Sequence, residues 1–238
     1  MCAIESKASE ARRDDAAGTG AGGSGRRFEL GLSKLGEALS TRKTEPICAA
    51  YLTLRRLGHG SGVHALLDRI DQTLGREARG LILSAFSRRR CFMCDRGTSP
   101  CHTCAGAGLV DRFRCPNCEG LGVEACMFCL GSGWSPLEDM PEELRPGVRK
   151  LRTAQLRKDI ERLTALPMGK ALASARQAAP EKRRELATWL LRALGRLNVL
   201  TRHRVADEAP LSLPGADEAA RRAEQLLEAL RESVPTQE

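Results

Sequence analysis

Apolar residues recur at helical spacing on both sides of a central segment that lacks this pattern. Spacing of the type i, i+3, i+4, i+7 predicts amphipathic helices. The pattern covers six stretches: residues 28–58, 63–74, 81–86, about 143–166, 181–200 and 216–233. Pro46 indicates a fresh helix start after Thr44, and the glycine-rich run 58–62 indicates a turn. The leucine stripe in residues 181–200 needs a partner surface, so we expect the helices to pack on one another.

Composition also favours a mainly α fold. The 238 residues include only two Trp, one Tyr and five Phe, which favours helix packing over a sheet core. No apolar run approaches the ~20 residues needed to cross a bilayer. Residues 1–27 are glycine-rich and lack the apolar core of a signal peptide. We therefore expect a disordered leader at 1–27 and a cytoplasmic protein.

The central segment carries a fourfold repeat of paired cysteines. Eight of the ten cysteines stand in Cys-x-x-Cys pairs: Cys91 and Cys94, Cys101 and Cys104, Cys115 and Cys118, and Cys126 and Cys129. Three pairs are followed by two glycines each: Gly106 and Gly108, Gly120 and Gly122, and Gly131 and Gly133. The first pair departs, because it continues Asp95-Arg96-Gly97. Glycine suits these places since it takes positive φ cheaply and lets the backbone approach the sulfurs.

Eight thiolates in such pairs are the ligand set of two tetrahedral zinc ions. One Cys-x-x-Cys turn directs two sulfurs at a metal, and a second turn completes the tetrahedron. The same motif serves thiol–disulfide exchange, so a thiol-disulfide oxidoreductase is the alternative. The count of four pairs with their glycines favours zinc. Fully ligated zinc leaves no open position for hydrolysis, and the sequence shows no other catalytic pattern, so we expect no enzyme.

The C-x-x-C-x-G-x-G repeats resemble the cysteine-rich zinc domain of DnaJ-type (Hsp40) co-chaperones, over residues 91–133 alone. The resemblance implies short β-hairpins, in which repeat one shares a zinc with repeat four and repeat two with repeat three. Zinc 1 would then take Cys91, Cys94, Cys126 and Cys129. Zinc 2 would take Cys101, Cys104, Cys115 and Cys118. The residues between Cys104 and Cys115 would form an inner hairpin, with the two flanking gaps side by side.

The rest of the chain separates it from complete DnaJ proteins. No His-Pro-Asp tripeptide, through which a J-domain stimulates Hsp70, occurs in the sequence. The chain is thus more similar to proteins that carry the zinc domain without a J-domain, some of which assist assembly or disulfide chemistry. In layout it also resembles late-gene antiterminators of lambdoid phages, which insert such repeats between helical segments and bind DNA. These resemblances imply either a chaperone-like or assembly adaptor that binds polypeptide, or a nucleic-acid-binding regulator, antiterminator-like or ribosome-associated.

The cysteine repeats divide the chain into five predicted segments. They are a disordered leader at 1–27, an N-terminal helical block at 28–88, a DnaJ-type zinc module at 89–134, a basic helical block at 135–204, and an acidic linker with a C-terminal helix at 205–238. The two blocks either pack together with the zinc arm projecting or act separately. The sequence leaves both arrangements open.

Positive charge is concentrated after the zinc module. Residues 145–204 carry 16 basic and 4 acidic side chains, whereas residues 205–238 carry 3 and 8. Such density on amphipathic helices would bind phosphates, with an affinity that falls steeply with salt. The alternatives are a solvated helix face or a partner for the acidic tail. The nucleic-acid candidates are Arg149, Lys150, Arg157, Lys158, Lys182, Arg183 and Arg184.

The residues inside the cysteine pairs suggest a different surface. Repeats one and four carry apolar residues there: Phe92, Met93, Met127 and Phe128. Methionine and phenylalanine form an adaptable surface that accepts varied apolar segments. These four residues are therefore the candidates for binding an unfolded or extended polypeptide. The alternative, which we favour slightly, is that they dock the module on the helical blocks.

Overall fold

The computed structural model describes residues 20–58, 63–201 and 211–234. The described residues form these elements: α1 (Gly20–Thr41), α2 (Thr44–Leu57), α3 (Val63–Leu74), α4 (Arg76–Arg88), β1 (Thr98–Pro100), β2 (Leu109–Val110), β3 (Phe113–Arg114), β4 (Val123–Ala125), a 3-10 turn (Glu142–Leu144), α5 (Arg145–Thr164), α6 (Met168–Arg176), α7 (Pro180–Thr201) and α8 (Ala216–Glu232). The chain is therefore mainly helical, as predicted. None of the helices in the described ranges is long and apolar enough to cross a membrane.

The predicted helices are present, with shifted limits. The sequence predicts a disordered leader over residues 1–27, but α1 begins at Gly20, so residues 20–27 of that segment are helical. α6 fills the stretch between Pro167 and Pro180, where no apolar stripe predicted a helix. The remainder of the predicted leader, residues 59–62 of the predicted turn, and residues 202–210 and 235–238 lie outside the described residues.

The break between α1 and α2 follows from local backbone chemistry. α1 ends at Thr41 because Arg42 adopts a left-handed conformation with φ of 54°. α2 begins at Thr44, which places Pro46 in its first turn. A first turn needs no backbone N–H for the helix hydrogen bonds, so proline is tolerated there. The fresh start predicted from Pro46 is confirmed.

The helices enclose two apolar cores. The first lies among α1, α2, α3 and α4, and residues beyond the cysteine repeats close it: Leu137, Met140, Leu144 and Val148. The second lies among α5, α6, α7 and α8 and includes Leu121, Val123 and Trp134. The C-terminal helix thus shares a core with the basic helices. Residues 137–148, which we assigned to the basic block, complete the N-terminal one.

α5 belongs to both cores, and its buried face differs from the predicted one. Val148 lies in the first core, whereas Leu156 and Leu163 lie in the second. Leu151 belongs to the apolar pattern that predicts a helix over about 143–166, but this side chain is exposed, and Arg152 is buried instead. The inward face of α5 therefore carries a guanidinium at the junction of the two cores.

Arg152 connects two segments that the sequence keeps far apart. Its Nε donates to the carbonyl oxygen of Ser87 at 3.3 Å, in the last turn of α4. Its Nη1 donates to the carbonyl oxygen of Ser135 at 2.9 Å, where the chain leaves the cysteine repeats. Hydrogen bonds of this kind are what allow a charged side chain to be buried.

The cysteine repeats contain two small antiparallel sheets. β2 and β3 pair as a hairpin, with Val110 opposite Phe113. The turn between them consists of Asp111 and Arg112, both at positive φ, as a two-residue type I′ turn requires. β1 pairs with β4 beside this hairpin. The predicted inner hairpin and the predicted side-by-side segments are both observed.

Tyr51, the one tyrosine of the chain, is buried in the first core. Its hydroxyl donates to Glu143 Oε1 at 2.8 Å, and Arg55 Nε lies 2.9 Å from the same oxygen. Burial raises the pKa of Tyr51 above its ordinary value of 10.0, and the hydrogen bond to Glu143 raises it further. The fold therefore stabilises the neutral phenol.

We expect Tyr51 to stay protonated in the folded protein where a free tyrosine ionises. Because its pKa is raised on folding, the stability it contributes is fully present below about pH 10 and is lost as the pH rises further. Phenolate absorbance, followed together with the helical circular dichroism signal, checks this. Phenolate formation before any loss of helical signal would contradict it. Tyr51→Phe is the control, because it removes the absorbance and keeps the ring.

Candidate metal centres

Eight cysteines gather into two groups of four. In each group all four Sγ atoms lie within 4.8 Å of one another. The outer group is Cys91, Cys94, Cys126 and Cys129, and the inner group is Cys101, Cys104, Cys115 and Cys118. Every member is buried except Cys94, which is half-buried. These are the two ligand sets that the repeat resemblance implies.

The sulfur spacing fits one tetrahedral metal ion in each group. Four sulfurs at about 2.3 Å from a zinc ion in tetrahedral geometry lie about 3.8 Å apart. The Sγ atoms of Cys94 and Cys129 are 3.7 Å apart, and those of Cys101 and Cys115 are 3.8 Å apart. A disulfide would bring two sulfurs to about 2.05 Å. Each group can therefore hold one metal ion, and four thiolates suit zinc or another soft metal.

Reciprocal backbone hydrogen bonds join the two halves of each group. The first cysteine of each pair donates its N–H to the carbonyl oxygen of a glycine in the opposite half. The four bonds run from Cys101 to Gly122 (3.0 Å), Cys115 to Gly108 (3.0 Å), Cys126 to Gly97 (2.9 Å) and Cys91 to Gly133 (3.1 Å). The two Cys-x-x-Cys turns of each group are thus related by an approximate two-fold axis.

Glycine N–H groups also reach the sulfurs. The bonds run from Gly108 to Cys104 Sγ (3.1 Å), Gly122 to Cys118 Sγ (3.2 Å) and Gly133 to Cys129 Sγ (3.3 Å). Gly108 and Gly122 have positive φ, and a Cβ on either would lie 2.5 Å from a carbonyl oxygen across the group. The predicted reason for glycine, conformation together with close approach, is confirmed at these positions.

Gly97 explains the irregular first repeat. Its carbonyl oxygen accepts the N–H of Cys126, as that of Gly108 accepts the N–H of Cys115. Its φ is 100°, and a Cβ there would overlap the carbonyl of Gly131. Gly97 therefore takes the place of the last glycine in the other repeats, and the first repeat is one residue shorter. The sequence analysis noted only that the first pair departs from the glycine pattern and missed this role.

Backbone hydrogen bonds favour the ionised form of one cysteine in each group. Burial acts to raise the pKa of Cys115, but backbone N–H groups, that of Cys118 first, outweigh it and bring the pKa to about 7. Cys126 follows the same pattern: burial acts upward, and backbone N–H groups, that of Cys129 first, lower its pKa. The first cysteine of repeats three and four is thus prepared to be a ligand, because only the thiolate binds metal.

No protein-family model matches this chain, and no curated protein or solved structure matches it either. The two four-cysteine groups, compatible with zinc-finger-like sites, therefore stand on their own geometry.

The outer group packs directly on α7 through Gly195. A Cβ at this position would overlap the backbone of Leu130 and Gly131 and would lie 2.5 Å from Ser132 N. The helix and the cysteine loop thus meet backbone to backbone. The sequence shows a glycine here, but Gly80 also lies within a helix and a Cβ there meets nothing within 4 Å, so the glycine alone did not locate this contact.

Trp134, which follows the last repeat, lies between two guanidinium groups. Arg196 lies 4.6 Å from its ring centroid and Arg152 lies 5.1 Å from it, within the range of cation–π attraction. Arg196 also pairs with Asp159 at 2.7 Å and donates to the carbonyl oxygen of Ser132 at 3.3 Å. The chain leaving the outer group is therefore held on α5 and α7.

The inner group contacts the end of α8. A Cβ at Gly120 would lie 2.8 Å from Val234 Cγ2, and Arg114 Nη2 donates to the carbonyl oxygen of Val234 at 3.2 Å. Arg231 of α8 forms an ion pair with Glu119. The cysteine repeats thus lie along α7 and α8 and do not project as an arm.

The four candidate residues for polypeptide binding are exposed. Their exposed fractions are 80% for Phe92, 47% for Met93, 80% for Met127 and 57% for Phe128. The ring centroids of Phe92 and Phe128 are 6.5 Å apart, so the two cysteine pairs form one surface, here named the knuckle patch. The prediction that these residues dock the module on the helices is wrong, because Gly195 and Trp134 make that contact.

The seven nucleic-acid candidates do not share a face. Four lie on α5 and three on α7: Arg149, Lys150, Arg157 and Lys158, and Lys182, Arg183 and Arg184. Arg183 is buried and donates to the carbonyl oxygen of Ala178 at 3.3 Å, which leaves it little access to a ligand. Arg184 lines a cleft beside α7, whereas Arg157 and Lys158 face solvent.

Proposed function

We propose that this protein is a zinc-binding, non-enzymatic adaptor of the chaperone-like or assembly type, which binds polypeptide through the knuckle patch. Each four-cysteine group would hold one zinc ion, and four thiolates leave no coordination position for a substrate. The resemblance of the repeats to the DnaJ-type zinc domain supports the same function. Metal chemistry and peptide binding are thus assigned to one small module.

The role proposed for zinc is structural because the cysteine groups have little other core. The buried residues of the inner group are its four cysteines, with only Val110 packed against them. The outer group is likewise a cluster of its own cysteines. Leu121 and Val123 of the same segment are buried, but they pack in the second core. The cysteine groups themselves would therefore depend on their metal for folding.

Polypeptide binding rests on one observation, an exposed apolar patch beside a pocket. Phe128 of the knuckle patch also lines a pocket of about 190 Å³. Leu130, Leu137 and Val199 contribute apolar walls to this pocket. Interfaces of this form bind by placing an anchor side chain in the pocket while neighbouring apolar residues exclude water. The ligand proposed is therefore an extended segment with a large apolar anchor.

Charge around the patch favours a ligand segment with positive charge. Residues 91–144 contain 3 basic and 8 acidic side chains, and four thiolates around one zinc ion add a net charge of about −2. Glu138 lines the pocket together with one cation, Arg152. Complementary charge speeds association and selects partners. Apolar segments with basic flanks are the proposed ligand class.

Phe92→Ser combined with Phe128→Ser should weaken polypeptide binding by about tenfold or more, since aromatic anchors carry much of the energy of such contacts. Fluorescence anisotropy of labelled apolar–basic peptides measures the affinity. Because both side chains point to solvent, the variant should retain the wild-type metal content and circular dichroism spectrum.

Leu109→Ser combined with Phe113→Ser is the matched control for this experiment. Both residues are exposed apolar residues of β2 and β3, away from the knuckle patch. The control should bind peptide like the wild type. Equal losses of peptide affinity in both variants would mean that peptides bind to exposed apolar surface in general. If the wild type binds no peptide, the proposed function is rejected.

The alternative function, a nucleic-acid-binding regulator that uses the helices of residues 145–204, rests on charge alone. Arg149, Lys150, Arg157 and Lys158 are spread around α5 at 100° per residue, and Arg183 is buried. The candidate residues therefore form no continuous basic face that would support this function.

A further inference from the structure

A cleft lined by arginines lies where α4, α5, α7 and the outer cysteine group meet. Its volume is about 520 Å³. Its arginines are Arg88, Arg90, Arg96, Arg152, Arg192 and Arg196, and none of its other lining residues is acidic. We name it the arginine cleft. Four separate parts of the chain thus contribute cations to one cavity. None of the knuckle patch residues lines it.

Most of these guanidinium groups lack a carboxylate partner. Among the described residues, only Arg96 and Arg196 of the six form an ion pair. Burial and the positive charge of Arg196 lower the pKa of Arg192, as expected where cations gather without enough anions. A concave surface lined by one sign of charge concentrates ligands of the opposite sign.

Arg152 provides a second, independent sign of a ligand. Its side chain is almost completely buried, with 2% exposed, and it lies between the arginine cleft and the pocket beside Phe128, lining both. Its Nε and Nη1 donate to backbone carbonyl oxygens, but its Nη2 is buried and has no hydrogen-bond partner in the part of the chain that the structure describes. Unpaired buried donors are rare in folded proteins and call for an explanation. An acceptor bound in the cleft would supply the missing partner.

We infer that the arginine cleft binds the phosphate groups of a nucleic acid strand. This inference does not rest on the proposed polypeptide binding, although Trp134 and Arg152 line both cavities. Guanidinium groups present forked donors that match phosphate oxygens. Several unpaired cations in one cavity suit a ligand with repeated negative charges. The one aromatic residue of the cleft, Trp134, is buried, so the backbone of the strand would be recognised, and not its bases.

A neighbouring cleft gives the strand a path. It shares Arg96 and Arg192 with the arginine cleft and adds Arg184 from α7. Asp95, Glu181 and Glu185 also line it, and their charge would repel phosphate. The favourable path therefore runs from the arginine cleft past Arg192 and ends before these three carboxylates.

The test is a titration of a labelled single-stranded oligonucleotide with the metal-loaded full chain at about 50 and 200 mM salt. Arg90→Ala combined with Arg192→Ala removes two cations of the cleft. It should lower the affinity about tenfold or more and the slope of log affinity against log salt by about two. Arg90→Lys with Arg192→Lys keeps the charge without the forked donors and should give an intermediate loss.

The matched control is Arg157→Ala combined with Lys158→Ala. It removes the same net charge from exposed positions of α5 and should bind like the wild type. Unchanged metal content and circular dichroism show that each variant is folded. Equal losses in the cleft and control pairs would overturn the proposal, as would no binding by the wild type at the lower salt.

Competition identifies the source of the phosphate. Inorganic polyphosphate and orthophosphate, added at equal phosphate concentration, should displace the oligonucleotide less effectively than an unlabelled strand. If polyphosphate binds in an Arg90- and Arg192-dependent manner while the oligonucleotide does not bind, the nucleic-acid assignment is overturned and the ligand is free polyphosphate.

Discussion

Cys115→Ser is expected to reduce the metal content from two ions per chain to one and to unfold the β2–β3 hairpin. The cluster of the inner group consists of its four cysteines with only Val110 packed against them. Apolar packing therefore cannot compensate for the loss of one metal ligand. A structural zinc site contributes on the order of 10 kcal/mol at neutral pH, which is comparable to the whole stability of a typical domain. Metal analysis of the purified variant, with NMR of residues 101–118, measures both effects.

Cys48→Ser is the control for this experiment. Cys48 is buried in the first core, outside both groups, so this variant should keep two ions. Cys126→Ser should also keep one ion, this time in the inner group. Retention of two ions by Cys115→Ser would contradict the grouping of the cysteines.

Gly195→Ala is expected to separate the outer cysteine group from α7. The added methyl group would overlap the backbone of Leu130 and Gly131, and backbone on both sides cannot move aside as a flexible side chain can. We expect a loss of about 3 kcal/mol, at the upper end of the usual range for overpacked sites. Chemical denaturation gives the free energy of unfolding, and limited proteolysis after Leu130 reports the loosened loop.

Gly80→Ala is the matched control, because it makes the same substitution within another helix. Gly80 lies within α4, and a Cβ there meets nothing within 4 Å. The substitution should stabilise the protein by up to about 1 kcal/mol, because alanine is the better helix former. A similar change of stability in both variants would show that Gly195 has no special contact.

Much of the fold could be predicted because its signals are local. Apolar periodicity located seven of the eight described helices, and the repeat resemblance implied the two cysteine groups that the structure contains. α5 shows the limit of periodicity. Leu151 fitted the stripe, but Arg152 is the buried residue, since its long stem is apolar and its donors reach backbone carbonyl oxygens.

The arginine cleft could not be predicted, because its residues are distant in sequence. Arg88, Arg96, Arg152 and Arg192 come from four segments that only the tertiary fold brings together. Charge counting found the basic segment 145–204 but not the half of the cleft contributed by residues before it. The exposure of the knuckle patch could not be predicted either. The outer cysteine group contacts α7 backbone to backbone at Gly195, so its apolar side chains are not needed for docking on the helices.

The chain leaves the helices and returns to them at one point. Arg90 pairs with Trp134 as neighbouring antiparallel strands do, and Ser135 Oγ donates to the carbonyl oxygen of Arg90 at 2.6 Å. In topological terms the cysteine repeats are an insertion whose two ends lie side by side. Segments with adjoining ends can change in length without moving the flanking elements. The position of the helices therefore sets no length for the cysteine repeats, and their size is limited only by their contacts with α5, α7 and α8.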